Sequence, residues 1–160
     1  MDDKFNRPYD PSATEKRIYE AWENSGFFNP DSLPARHKKP FTIIMPPPNA
    51  NGNLHVGHAL FITMEDILTR YKRMRGYKAL WVPGADHAGF ETQIVYEKKL
   101  EKEGRSRFKM SAKELYGEIY DFTVANKKVM ENQVRALGAS CDWSREKFTL
   151  DSDVVKKVQR

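Results

Sequence analysis

A chain of 160 residues with a net charge of +5, 39% of it hydrophobic, can bury one sizeable core and falls in the size range of a single domain. No run approaches the roughly 18 consecutive apolar residues of a membrane span. Residues 1–10, MDDKFNRPYD, lack the basic and apolar regions of a secretory leader, so a cytoplasmic monomer with no membrane partner is expected. The excess of positive charge favours polyanions only weakly. Stretches such as EKKLEKEGRSR interleave both signs, as a solvated helix face does. Cys141 is the only cysteine; with no second thiol for a disulfide or a zinc site, it reads as a small buried or half-buried residue.

A first helix is predicted over residues 12–25, with Ser12 and Glu15 as a capping box, Gly26 as the stop, and Ile18, Tyr19 and Trp22 as its apolar side. Residues 28–40 hold Pro30, Pro34 and several polar residues and read as a surface connection, with His37 exposed to solvent. FTIIM, residues 41–45, suits a strand buried on both faces. Pro46, Pro47 and Pro48 end it, because proline cannot donate to a ladder.

A second helix is predicted from near His55. Leu60, Phe61, Met64, Ile67, Leu68, Tyr71 and Met74 recur at helical spacing, and Gly76 follows the end. A second strand over 79–82 closes at Pro83. Strand, loop, helix and strand make a right-handed βαβ unit, which places the loops MPPPNANGNLHVGH and VPGADHAGF on one sheet edge, where open parallel sheets bind ligands. Helices are expected over 91–102 and 112–136, and a short segment through Asp151 is expected to start a further one.

In LHVGHAL, His55 and His58 stand three apart around Gly57 at a helix start. Both imidazoles can reach one neighbourhood, where free backbone amides and the helix dipole already favour phosphate. Imidazole donors are most useful where charge develops on a phosphoryl group. Gly57, without a β-carbon, would admit a flat base or ribose close to the backbone. The bland reading is that the two histidines cap the helix and one of them packs on the sheet. A zinc site from His55, His58 and His87 is the other alternative, but no carboxylate or thiolate stands at a recognisable ligand spacing, and no protein-bound metal is expected.

HxGH after a proline-rich strand end resembles the first signature of class I aminoacyl-tRNA synthetases, the HIGH motif. PPPNANGNLHVGHAL, WVPGADHAGFETQ and LGASCDWSREKFTLD together, in this order, resemble valyl-tRNA synthetases over nearly the whole chain. Pro46, Asn49 and DHAG separate it from the isoleucyl pattern, while Asn51, Ala85 and Phe90 depart from residues common in valyl enzymes. The resemblance implies an α/β fold: the first half of a Rossmann-like nucleotide-binding domain, a parallel sheet with flanking helices, left incomplete. Residues 1–40 would be an amino-terminal helix and connection, and 41–160 the half-domain. Regions for editing, the KMSKS loop and anticodon binding are expected to be absent, so the fragment alone is expected to be inactive or very weak.

The resemblance also implies roles. His55 and His58 would be catalytic; His55, Gly57, His58, Asn51 and Gly52 would bind ATP, which arrives with Mg2+ as a substrate complex. Pro46, Pro47, Asn49, Asp86 and His87 would hold L-valine, the two prolines as a rigid wall and Asp86 facing the ammonium group. The full enzyme would pass valine to tRNA(Val). Lys109, Met110, Ser111, Ala112 and Lys113 imitate KMSKS, but Ser111 with Glu114 reads instead as a capping box. Two rivals of other classes are a non-catalytic nucleotide-binding module and a small, self-contained nucleotidyltransferase.

Overall fold

The structure is a computed structural model that describes residues 8–151. The further helix expected after Asp151, and most of the segment used to exclude a leader, lie outside the described residues. Within them, no helix is long and apolar enough to cross a membrane.

Helix α1 spans Pro11–Asn24 and begins one residue earlier than expected. Its cap is Asp10, whose carboxylate accepts from the backbone N–H groups of Ser12 and Ala13. Ser12 is already inside the helix and gives its hydroxyl to the same carboxylate.

Strands β1 (Lys39–Ile44) and β2 (Tyr77–Val82) pair in parallel, with Lys39 opposite Tyr77 and Ile44 opposite Val82. Helix α2 (Val56–Met74) crosses between them, as the βαβ pattern requires. The other edge of β2 is covered by the segment after helix α4 (Ala112–Ala136), where Asp142 N–H bonds to Trp81 O at 2.9 Å. Further along, strand β3 (Gly84–Ala85) pairs in parallel with β4 (Lys147–Phe148). These two-residue strands carry no periodicity, and neither was expected. Helix α3 (Gly89–Lys102) packs on α4, whose Ser111–Glu114 capping box is present in full.

Two expectations about burial fail: that β1 is covered on both faces and that His37 lies in solvent. β1 is not buried on both faces: Phe41 and Ile43 are half-buried while Ile44 is 73% exposed. Among the described residues β1 has a strand partner on one edge only. Likewise the apolar stripe of α2 faces out, with Val56, Leu60, Met64, Ile67, Tyr71 and Met74 all exposed. The face turned to the sheet is a different one. Ile62 and Thr69 are buried there, and Asp66, Arg70 and Arg73 form a network with the 138–140 turn. Asp66 takes both the N–H and the hydroxyl of Ser140, and Arg73 grips Ser140 from the other side. His37, expected in solvent, is half-buried and bridges the carbonyls of Pro34 and Arg73.

The main core joins Met45, Ile62, Trp81, Val134, Ala139 and Cys141, and a second cluster joins Ala50, Ala85, Met130 and Phe148 beneath the loops. Cys141 is fully buried, and burial pushes its thiol up to about 12, so it stays protonated and inert.

Candidate nucleotide and amino-acid site

The loop after β1 and the loop after β2 are joined by backbone. Asp86 N–H bonds to Pro48 O at 2.8 Å, and Ala50 N–H bonds to Asp86 O at 2.7 Å, a parallel bridge that sets Asn49 opposite Asp86. A proline-rich run can take this bridge because Pro48 needs to supply only a carbonyl. From the side of α4, Gln133 accepts the N–H of Leu54 and so fixes the approach to the helix start. These ties leave a cleft of about 460 Å³, lined by Pro46, Pro47, Asn49, Asn51, His55 and His58 among others. Six of the ten expected site residues therefore share one cleft. Asp86 is joined to it through its bridge to Asn49, while Gly52, Gly57 and His87 do not line it.

The two histidines cap α2 and do so reciprocally. His55 Nδ1 accepts the N–H of Gly57 at 3.1 Å, and His58 Nδ1 accepts the N–H of His55 at 3.2 Å. An imidazole that accepts at Nδ1 carries its proton on Nε2. Both rings thus keep an Nε2–H for a ligand, with their centroids 3.9 Å apart. Burial, and then the neighbouring His55, hold the pKa of His58 below its ordinary value, so it favours the neutral form. The capping reading and the ligand reading are therefore compatible: one nitrogen of each ring serves the helix and the other is free for chemistry.

A β-carbon at Gly57 would stand 2.9 Å from Cε1 of His55, so the missing side chain makes room for that ring. Gly52 faces open space, with nothing within 4 Å of where a β-carbon would lie.

The second loop is built around Asp86. Its Oδ1 accepts from Ala88 N–H at 3.1 Å and from the Thr149 hydroxyl at 2.8 Å, while Oδ2 has no hydrogen bond among the described residues. Ala88 sits at φ 55°, the only non-glycine residue with positive φ among those described. That conformation costs an L-residue roughly 1–2 kcal/mol. No group of three histidine, cysteine or acidic residues able to hold a metal ion occurs among the described residues.

The family model for tRNA synthetases class I (I, L, M and V) matches residues 17–160. The chain belongs to the class I tRNA synthetases. Within that family it is similar to proteins named valine–tRNA ligase: 46% identical to one from Caulobacter vibrioides over 98% of this chain, and 45% identical to one from Pseudothermotoga lettingae over 95%. A chloroplastic/mitochondrial valine–tRNA ligase of Arabidopsis thaliana is 46% identical over 91% of the chain. The chain spans only 15–17% of the length of these relatives. Its fold is like that of LeuRS from Agrobacterium radiobacter K84, solved in a ternary complex with tRNA and LeuAMS, with a TM-score of 0.66 and 24% identity over 92% of this chain and 17% of that one. The class I fold accounts for the βαβ unit and for the loops gathered at one sheet end.

Proposed function

We propose that this chain is the amino-terminal part of a valine–tRNA ligase and carries the site where ATP and L-valine meet, the product being passed on to tRNA(Val) by the whole enzyme. The observation that carries this reading is the pair His55 and His58, each capping through Nδ1 and so keeping an Nε2–H, in the lining of a proline-walled cleft. In this mechanism the carboxylate oxygen of valine attacks the α-phosphorus of ATP, and the bond to the bridging oxygen breaks. Valyl-adenylate and pyrophosphate result. Negative charge grows on the phosphoryl oxygens as that bond breaks, and the two imidazole donors stabilise it where it forms. Mg2+ comes and goes with the nucleotide.

Asn51 and Gly52 lie along the path to the helix start and would flank the nucleotide, with Gly57 contributing through its seating of the His55 ring. Pro46 and Pro47 form the wall against which a longer side chain would press. Asp86 offers its free Oδ2 to the ammonium group, Asn49 stands opposite it, and His87 lines the same loop. Threonine nearly matches valine in shape, and a hydrophobic pocket rejects an added hydroxyl poorly; the valine enzyme is the standard illustration of this limit. Editing is accordingly assigned to another part of the full protein.

The outward apolar stripe of α2 and the exposed Ile44 fit a half-domain that packs against further chain. Exchange of pyrophosphate into ATP by the full-length protein tests the assignment against its rivals. Exchange that requires valine supports it. A nucleotide-binding module would give no exchange, and a self-contained nucleotidyltransferase would not need valine.

A further inference from the structure

Thr149 belongs to the third stretch of resemblance, KFTLD, which the assignment above leaves without a role. It lies just past β4, and its N–H bonds to Ala85 O at 3.3 Å, which carries the hydroxyl to the second loop. There the hydroxyl oxygen meets three groups at once. It lies 2.8 Å from Asp86 Oδ1, 2.9 Å from the backbone nitrogen of His87 and 2.5 Å from His87 Nδ1.

A hydroxyl has one proton, and these partners decide where it goes. A carboxylate can only accept, so the Thr149 proton points to Asp86. The oxygen then accepts from the His87 N–H, and Nδ1 must bear a hydrogen and donate to the same oxygen. His87 is thereby held as the Nδ1–H tautomer, the reverse of His55 and His58, with Nε2 left as an acceptor. Asp86 is held through Oδ1 alone, which leaves Oδ2 directed away from the network. One hydroxyl from a turn more than sixty residues away therefore sets both a carboxylate rotamer and an imidazole tautomer.

We propose that Thr149 is a positioning residue for the amino-acid site, holding Asp86 by Oδ1 and bracing the loop through His87 so that Asp86 Oδ2 is left for the substrate ammonium group. This rests on the reading of Asp86 as the partner of that group. A geometry held by a neighbouring hydroxyl is lost when the hydroxyl is replaced by a methyl group of the same shape.

The test uses the full-length enzyme and pyrophosphate exchange, with KM measured separately for valine and for ATP. Thr149→Val should raise the valine KM about tenfold and move the ATP KM less than about twofold, while Thr149→Ser should behave like the parent. Asp86→Asn should raise the valine KM by at least as much, and adding Thr149→Val to it should change nothing further. A parental valine KM in Thr149→Val overturns the proposal, as does an equal rise for ATP, a failure of serine to rescue, or losses that multiply in the double variant. If Asp86→Asn raises the valine KM and Thr149→Val does not, only the role of Thr149 falls. If Asp86→Asn leaves it unchanged, the ammonium reading falls and the positioning role with it.

Discussion

At the scale of single residues, His55 and His58 each do two things with two nitrogens. Nδ1 closes the helix start, and Nε2, which the cap leaves unused, is the proposed donor to the phosphoryl group. The two duties come apart by substitution. His55→Ala should lower turnover and also remove a cap worth about 1 kcal/mol, whereas His55→Asn restores a capping oxygen without the Nε2–H. We therefore expect His55→Asn to keep the parental stability and lose turnover about a hundredfold or more, with valine affinity nearly unchanged. Equal losses of valine affinity and turnover in pyrophosphate exchange would contradict the role. His58 adds a pH dependence. Its folded pKa lies below the ordinary 6.5, so between those two values the unfolded chain binds more protons than the folded one. Stability should be complete above about pH 6.5 and decline as the pH falls through the folded pKa, where protonation also removes the Nδ1 acceptor of the cap. Denaturant titrations between about pH 7.5 and 5 should show this slope in the parent and a weaker one in His58→Asn; equal slopes would show that another group is responsible.

At the scale of elements, the loops were legible because their residues leave the backbone few options. Three consecutive prolines end β1, Gly76 at φ 80° ends the α2 region, and Ser111 with Glu114 opens α4, each where the sequence places it. What could not be read was the partner of each face. The spacing of Leu60, Met64, Ile67 and Tyr71 identifies a helix but does not say which neighbour covers the stripe; here the buried face is a different one, carrying Ile62 and Thr69, with Asp66 and Arg73 bound to the 138–140 turn. Strand β4 has two residues and no period, so Thr149 gave no signal of its contact with Asp86. Capping chemistry at α1 was read at Ser12, two residues late, because Asp10 and Ser12 are both good caps and only geometry chooses between them. The proline loop itself carries a prediction. Pro47 lines the cleft with a fixed backbone, and Pro47→Gly in the full-length enzyme should lower the valine-to-isoleucine ratio of activation efficiency about tenfold or more, leaving the ratio to threonine nearly unchanged. An unchanged isoleucine ratio beside a shifted threonine ratio would remove Pro47 from the wall.

At the scale of the molecule, β1 lacks a second strand among the described residues and α2 turns an apolar stripe outward, with Val56 at 86% and Met74 at 80% exposure. An open strand edge beside an exposed apolar stripe favours self-association and gives little cooperativity. The 160-residue chain on its own should therefore unfold broadly at low temperature, whereas a sharp, cooperative transition of a monomer would contradict that view. The central claim, that this segment forms the activation site of a valine enzyme, is tested most directly by pyrophosphate exchange in the full-length protein with valine, isoleucine, leucine and methionine in turn. The predicted result is exchange with valine at an efficiency on the order of a hundredfold above that with isoleucine. Exchange that favours any of the other three amino acids, or that proceeds as well with none, would contradict it.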